Sequence, residues 1–176
     1  MFSDPAKNIE QLELTRNLIV ADLGAGTGFY SLAAARILKG GEGRVYCIEV
    51  QRELLKRVED AATKEGLTNI DYIWGNIEKR GGTKIRDHSV DCAIASNVLF
   101  QVEDRKGFIE EIKRILKPGA KLLLIDWADS FGGMGPASNQ VIGSMLAESL
   151  FSSAGFVRVK SFNAGAHHYG ILFKIT

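Results

Sequence analysis

The chain has 176 residues, of which 45% are hydrophobic and 24% charged, and its formal net charge is +1. That composition excludes a disordered or low-complexity chain, and the length suits a single domain with an ordinary core. The near-neutral balance supplies no global field to recruit nucleic acid or an anionic membrane.

The two cysteines, Cys47 and Cys92, lie in apolar strand-like runs and outside any C-x-x-C pair. They are expected to be free buried thiols, with no metal or redox centre. The densest basic cluster, Lys113, Arg114, Lys117 and Lys121, alternates with apolar residues and reads as a solvated helix face and its exit. The first residues carry no basic-then-apolar leader, and no apolar stretch reaches membrane-spanning length. A cytoplasmic location without membrane attachment is the expectation.

In chain order, Ser3-Asp4-Pro5 is an N-cap followed by a first-turn proline and predicts a short helix from Ala6 to Leu14. Leu18-Ile19-Val20 then leads a strand into Asp22-Leu23-Gly24-Ala25-Gly26-Thr27-Gly28. Tyr30, Ala33, Ala34 and Ile37 follow at helical spacing, and Gly40-Gly41 ends that helix. A strand, a glycine turn and a helix form the ligand-cradling corner of a doubly wound sheet. Its unpaired N–H groups and helix dipole favour a polar ligand. The dinucleotide fingerprint G-x-G-x-x-G fails, because the position after Gly24 and Gly26 that needs a third glycine holds Phe29. The spacing is G-x-G-x-G instead, and the preceding Asp22 would repel a pyrophosphate but suit an ammonium group.

Arg44 to Val50 is the second strand, nearly all apolar as a buried parallel strand should be. It carries Glu49, twenty-five residues beyond Gly24, where doubly wound folds put a carboxylate on ribose hydroxyls; Val50 would flank the adenine. A helix with Leu54, Val58 and Ala61 as its buried stripe stops at Gly66. Ile70 to Trp74 is the third strand, and residues 79–88 read as a loop or a poorly formed helix. Val90 to Ser96 is the fourth strand, with Asn97 at its carboxyl end as a ligand contact or a turn cap. Asp104 caps a helix bearing Phe108, Ile112 and Ile115, which Lys117-Pro118-Gly119 stops. Leu122 to Ile125 is the fifth strand, and a glycine-rich loop carrying Trp127, Phe131 and Met134 follows it. The final helix has Ile142, Met145, Leu146 and Leu150 as its apolar residues and ends at Gly155. Two strands, Phe156 to Phe162 and Tyr169 to Ile175, close the chain. His167 and His168 sit beside the second, and neighbouring strand positions point to opposite faces, so at most one faces a pocket.

The D-x-G-x-G-x-G run from Asp22 to Gly28, the acid ending strand two, and the Leu116-Lys117-Pro118-Gly119 passage together resemble the class I S-adenosylmethionine-dependent methyltransferases, in particular their ubiquinone/menaquinone-type branch. The resemblance covers essentially the whole chain. It implies a single-domain α/β fold over residues 1–176, a doubly wound sheet of six parallel strands and an antiparallel last one with helices on both faces. It also implies a lid helix in 1–16 and a substrate-side loop in 126–138. The implied cofactor is S-adenosylmethionine, leaving as S-adenosylhomocysteine. Asp22 would meet the methionine ammonium, the backbone of Gly24, Ala25, Gly26, Thr27 and Gly28 the methionyl and ribose region, and Glu49 the ribose. Asn76 and Ile77 would meet the adenine, although the family usually has Gly-Asp where this chain has Gly75-Asn76; an amide oxygen still accepts a hydrogen bond. Asn97 would contact the methionine end or the substrate. His167, His168 and Asp126 are the candidate bases for an acceptor that must lose a proton. The D/N-P-P-Y/F signature of base and glutamine methylation is absent. A small-molecule acceptor is therefore expected of a monomer or homodimer, with a protein or RNA acceptor left open. The rival readings are a nicotinamide oxidoreductase and a non-catalytic binding module on the same scaffold.

Overall fold

The structure, a computed structural model, describes residues 3–176. Its strands are β1 Ile19–Leu23, β2 Arg44–Glu49, β3 Ile70–Trp74, β4 Val90–Ser96, β5 Leu116–Trp127, β6 Phe156–Gly165 and β7 His168–Ile175. They form one seven-stranded sheet in the order β3-β2-β1-β4-β5-β7-β6. The ladders among the first five strands are parallel, and β7 runs antiparallel to both β5 and β6. Six strands therefore share one direction and the last is reversed, as the sequence reading predicts. The chain doubles back between β1 and β4, and ligands of open α/β sheets bind at the carboxyl ends beside that switch.

Helices α1 Pro5–Ile9, α2 Phe29–Leu38, α3 Arg52–Lys64, α4 Arg105–Ile115 and α5 Ser144–Ser153 complete the layers. Alternation along the strands builds two cores. Val20, Val45 and Ile94 pack with α1, α2 and α3, while Ala21, Ile48 and Leu122 pack with α4 and α5. Among the described residues no helix is long and apolar enough to cross a membrane, and both cysteines are free and buried.

Several local expectations shift. The first helix is shorter than Ala6 to Leu14: α1 gives way to a 3-10 turn over Glu10–Leu12, and Glu13 turns left-handed at φ 53°. This lets Ile9 and Leu12 both reach the core. The buried stripe of α3 is Leu55, Val58 and Ala62, one position beyond the predicted Leu54 and Ala61, which leaves Leu54 to line the cavity described below. In α2 the stripe ends on Leu38, and Ile37 is exposed.

Lys117-Pro118-Gly119 lies inside β5, which begins at Leu116 directly after α4; a register shift between Val90 and Cys92 absorbs the proline. In α5 the buried residues are Ala147 and Phe151, whereas Met145 and Leu146 face solvent. The basic cluster lies at the surface and is paired within the chain. Lys113 donates to the Ala154 carbonyl, Arg114 pairs with Glu111 and Asp87, Lys117 with Asp91 and Lys121 with Glu13.

Candidate active site

A cavity of about 1020 Å³ opens at the carboxyl ends of β1, β2, β3 and β4. Its floor is the turn after β1. Gly24 and Ala25 donate to the Ile48 carbonyl at 3.0 and 2.9 Å, and Gly28 donates to the Ala25 carbonyl at 2.8 Å. Gly24, Gly26 and Gly28 have φ of 73°, 54° and 78°, a region costly for residues with a Cβ. Their surroundings differ. A Cβ on Gly24 would meet Val98 at 2.7 Å and one on Gly28 would meet Val58 at 2.5 Å, but one on Gly26 would meet nothing within 4 Å. Gly26 is bare toward the cavity, as close approach of a ligand requires; Gly28 does not line it and serves the packing of α2 on α3.

Two buried carboxyl groups frame this turn. Asp22 accepts from Ser31 Oγ at 2.7 Å. Burial pushes its carboxyl up to about 6; the Ser31 hydrogen bonds oppose this and the charge of Glu49 adds to it. Glu49 Oε2 accepts from Gly26 N at 2.9 Å, and Oε1 accepts from Val50 N and Gln51 N at 2.8 and 3.0 Å. Glu49 Oε2, with one donor, keeps a lone pair for a further one. Exposed Val50 forms a wall, its carbonyl held at 2.8 Å by Trp74 Nε1, and the Arg52 guanidinium lies 3.9 Å from the centre of one Trp74 ring.

Asn76 and Ile77 line the next wall. Asn76 Oδ1 accepts from Glu78 N at 2.8 Å, and Glu78 Oε2 accepts from Glu103 N and Asp104 N at 3.0 and 2.7 Å. Behind them the 79–88 loop is tied down by fully buried Glu111, which accepts from Gly81 N, Thr83 N and Thr83 Oγ1. Burial alone would raise the Glu111 carboxyl, but the Arg114 and Thr83 hydrogen bonds prevail and bring it to about 2. Asn97 is left-handed at φ 56°, and its buried Oδ1 has no hydrogen-bond partner among the described residues.

The opposite wall is drawn from distant segments: Ser3, Pro5, Tyr30, Ser96, Trp127, Met134 and His168. The Tyr30 hydroxyl accepts from Asn8 Nδ2 at 3.2 Å, and the same amide nitrogen donates to the Ala164 carbonyl at 2.9 Å. Burial raises the Tyr30 phenol, so it stays neutral. Gly135 lies against the Trp127 ring, which a Cβ there would meet at 2.5 Å. Trp127 and His168 pack with ring centroids 4.3 Å apart.

Of the three candidate bases, His168 alone lines the cavity. His167 occupies the hairpin turn rather than a strand; its Nδ1 lies 2.7 Å from Asp129 Oδ1 and its ring stacks on Phe131. Asp126 is turned away from the cavity. Its Oδ2 accepts from Leu99 N at 2.9 Å and its Oδ1 from Trp127 N at 2.8 Å, so it anchors the turn after β4. Burial pushes its carboxyl up to about 6 against the backbone hydrogen bonds to Trp127 and Leu99.

Sequence reasoning missed Tyr30 as a cavity group and Asn8 as its partner, because Tyr30 reads as a core position of α2 and Asn8 as a helix-surface residue. It missed the clamp of Glu111 and Arg114 as well, although that pair's i, i+3 spacing is visible in the sequence.

A model described as a methyltransferase domain matches residues 21–124, from β1 into β5. The chain belongs to that family. This methyltransferase-domain chain is 31% identical over 110 residues to the ubiquinone/menaquinone biosynthesis C-methyltransferase UbiE of Haemophilus ducreyi, an alignment of 62% of the chain and 41% of the relative. The corresponding enzyme of Hydrogenovibrio crunogenus is 32% identical over 111 residues, 62% of the chain and 42% of the relative. The matched region thus spans less than half the length of these curated relatives. The crystal structure of a SAM dependent methyltransferase from Aquifex aeolicus superposes with a TM-score of 0.88 at 27% identity, covering 99% of this chain and 91% of that one.

Proposed function

We propose that the protein is an S-adenosylmethionine-dependent methyltransferase acting on a small molecule, and that the whole chain works as one domain. The observation that carries this is the juxtaposition of Asp22 and Gly26: a buried carboxyl group and a bare, left-handed glycine at the floor of one cavity. The names of the curated relatives support a small-molecule acceptor. Two free thiols agree with a cytoplasmic setting.

The residues present fit the cofactor. Asp22 would take the methionine ammonium, the 24–27 backbone the methionyl chain, and the remaining lone pair on Glu49 Oε2 a ribose hydroxyl. Val50 and Ile77 would flank the adenine, with Asn76 supplying a polar edge. The unpartnered Asn97 Oδ1 would accept from a donor at the methionine end. S-adenosylmethionine supplies a methyl group on a positively charged sulfur, ready for in-line displacement. The chain's own contribution is alignment and exclusion of water: Tyr30, Trp127 and Met134 would shape the space in which the acceptor lies. Where an acceptor must lose a proton, His168, the candidate base that lines the cavity, would take it.

Calorimetric titration with S-adenosylmethionine, S-adenosylhomocysteine and NADH tests the reading. Saturable binding of the two adenosyl compounds alone is expected. No adenosyl binding would leave an interaction module, and NADH binding would revive the oxidoreductase.

A further inference from the structure

The buried carboxyl groups at the carboxyl ends of the strands are held in two different ways. Glu49 is fixed by the N–H groups of Gly26, Val50 and Gln51, and Asp126 by those of Leu99 and Trp127. Asp22 is held by a side chain instead. Among the described residues its carboxylate takes hydrogen bonds from Ser31 alone, with Ser31 Oγ donating to Oδ2 at 2.7 Å. Ser31 is fully buried, and apart from Tyr30 the other buried residues of α2 are Leu32, Ala33, Ala34, Ala35 and Leu38. Alanine at position 31 would continue that face, favour the helix and avoid burying a hydroxyl. The hydroxyl that stands there donates to Asp22 and not to a carbonyl of its own helix turn.

We propose that Ser31 is a positioning residue for cofactor binding: its hydrogen bond fixes Asp22 Oδ2 and leaves Oδ1, charged, for the cofactor's ammonium group. This rests on the cofactor reading above. The groups that face Asp22 make that one bond decisive. From β2 come Glu49, whose charge opposes ionisation, and the Cys47 thiol; from α2 comes the Tyr30 phenol. Burial pushes the thiol up to about 12 and raises the phenol, so both stay neutral and neither supplies a positive charge. Burial likewise pushes Asp22 up to about 6, and only the hydrogen bonds from Ser31 act against it. Without them the carboxyl would hold its proton near neutral pH and meet the ammonium as an uncharged acid.

The test follows Asp22 in the ligand-free chain by carbon NMR of isotope-labelled aspartate carboxyl groups, its signal identified by its loss in Asp22→Asn. Cofactor affinity is then measured by calorimetry with S-adenosylhomocysteine from pH 5 to pH 8. Ser31→Ala is expected to raise the Asp22 midpoint by about one to two pH units. Its affinity should fall about two- to tenfold below that of the natural chain at pH 7, and the gap should narrow toward pH 8. Ser31→Thr, which keeps the hydroxyl, should restore the natural midpoint. An unmoved Asp22 midpoint in Ser31→Ala, or an affinity loss of the same size at every pH, would overturn the proposal and leave the cofactor reading intact. Failure of the natural chain to bind S-adenosylhomocysteine would overturn the cofactor reading, and with it the role of Ser31 in binding, whatever the NMR midpoints.

Discussion

The two sides of the cavity are built differently. The side under β1, β2 and β3 rests on backbone, with left-handed glycines, N–H groups held by Glu49 and a loop fastened by Glu111, and its few side-chain walls come from single strand ends. The side under β5 and the closing hairpin is made of side chains carried by segments far apart in sequence, from Ser3 and Tyr30 to Trp127 and His168. Backbone geometry demands particular residues at fixed spacing, so the first side is confined to one chemistry. A wall of side chains tolerates exchange, so the second side can be retuned to another acceptor without disturbing the first.

The comparison breaks most severely at the clamp behind the first side. Glu111→Ala leaves Arg114 without its buried partner and is expected to cost about 3–5 kcal/mol of stability, read by urea denaturation. Asp22→Ala is expected to weaken S-adenosylhomocysteine binding roughly 10- to 100-fold, the worth of about 1.5–3 kcal/mol for a charged hydrogen bond, read by calorimetry. Gly28→Ala drives a Cβ into Val58 and is expected to cost about 1–3 kcal/mol of stability. Gly26→Ala meets no neighbour, so its stability cost should be only the roughly 1–2 kcal/mol of a left-handed Ala, but it should also lower ligand affinity, because its Cβ enters the cavity. On the second side, Asp129→Ala removes an exposed pairing with His167 and is expected to change stability by about 0–1 kcal/mol. A larger loss there would show that the loop is as rigidly built as the glycine turn.

Acidification sharpens the contrast. Asp22 and Asp126 are both raised to about 6 in the folded chain from an ordinary 3.8. Their contribution to stability is full below that ordinary value and is lost as pH rises through about 6. The ligand-free chain should therefore gain stability from these groups between pH 7 and pH 5, measured by urea midpoints, while cofactor affinity falls as Asp22 takes up its proton. Glu111, lowered to about 2, acts in the opposite sense: its contribution is present above 4.5 and is lost as pH falls through about 2.

The same division explains what could be read from the sequence. The strands and the floor of the cavity follow from hydrophobic runs and a spaced glycine motif, which are local signals, whereas the reversed last strand is what the family resemblance implies and the strand order is seen only in the structure. Asp22, Gly26 and Glu49 are legible as cavity-lining residues because one short turn and one strand end hold them there. Asp126 was misread: both its position at a strand end and its acid suggest a base, but two backbone N–H groups claim it. His167 and His168 were inseparable until the hairpin turn fell at 166–167. Tyr30 could not be singled out, since its polar partners Ser3 and Asn8 come from the start of the chain and Asn8 is itself held by the Ala164 carbonyl near the other end. The helix stripes slipped by one position wherever neighbouring apolar residues left the 3.6-residue phase open.

The most direct test of the account is the affinity for S-adenosylhomocysteine of the natural chain and of Asp22→Asn, measured by calorimetry from pH 7.5 to pH 5. The natural chain should bind tightly at pH 7.5 and weaken as pH falls through about 6. The variant, which keeps the shape of Asp22 and loses its charge, should bind weakly and with a flatter pH profile. Equal affinity of the two proteins across that range would contradict the assignment of Asp22 to the ammonium group, and with it the account of the cavity.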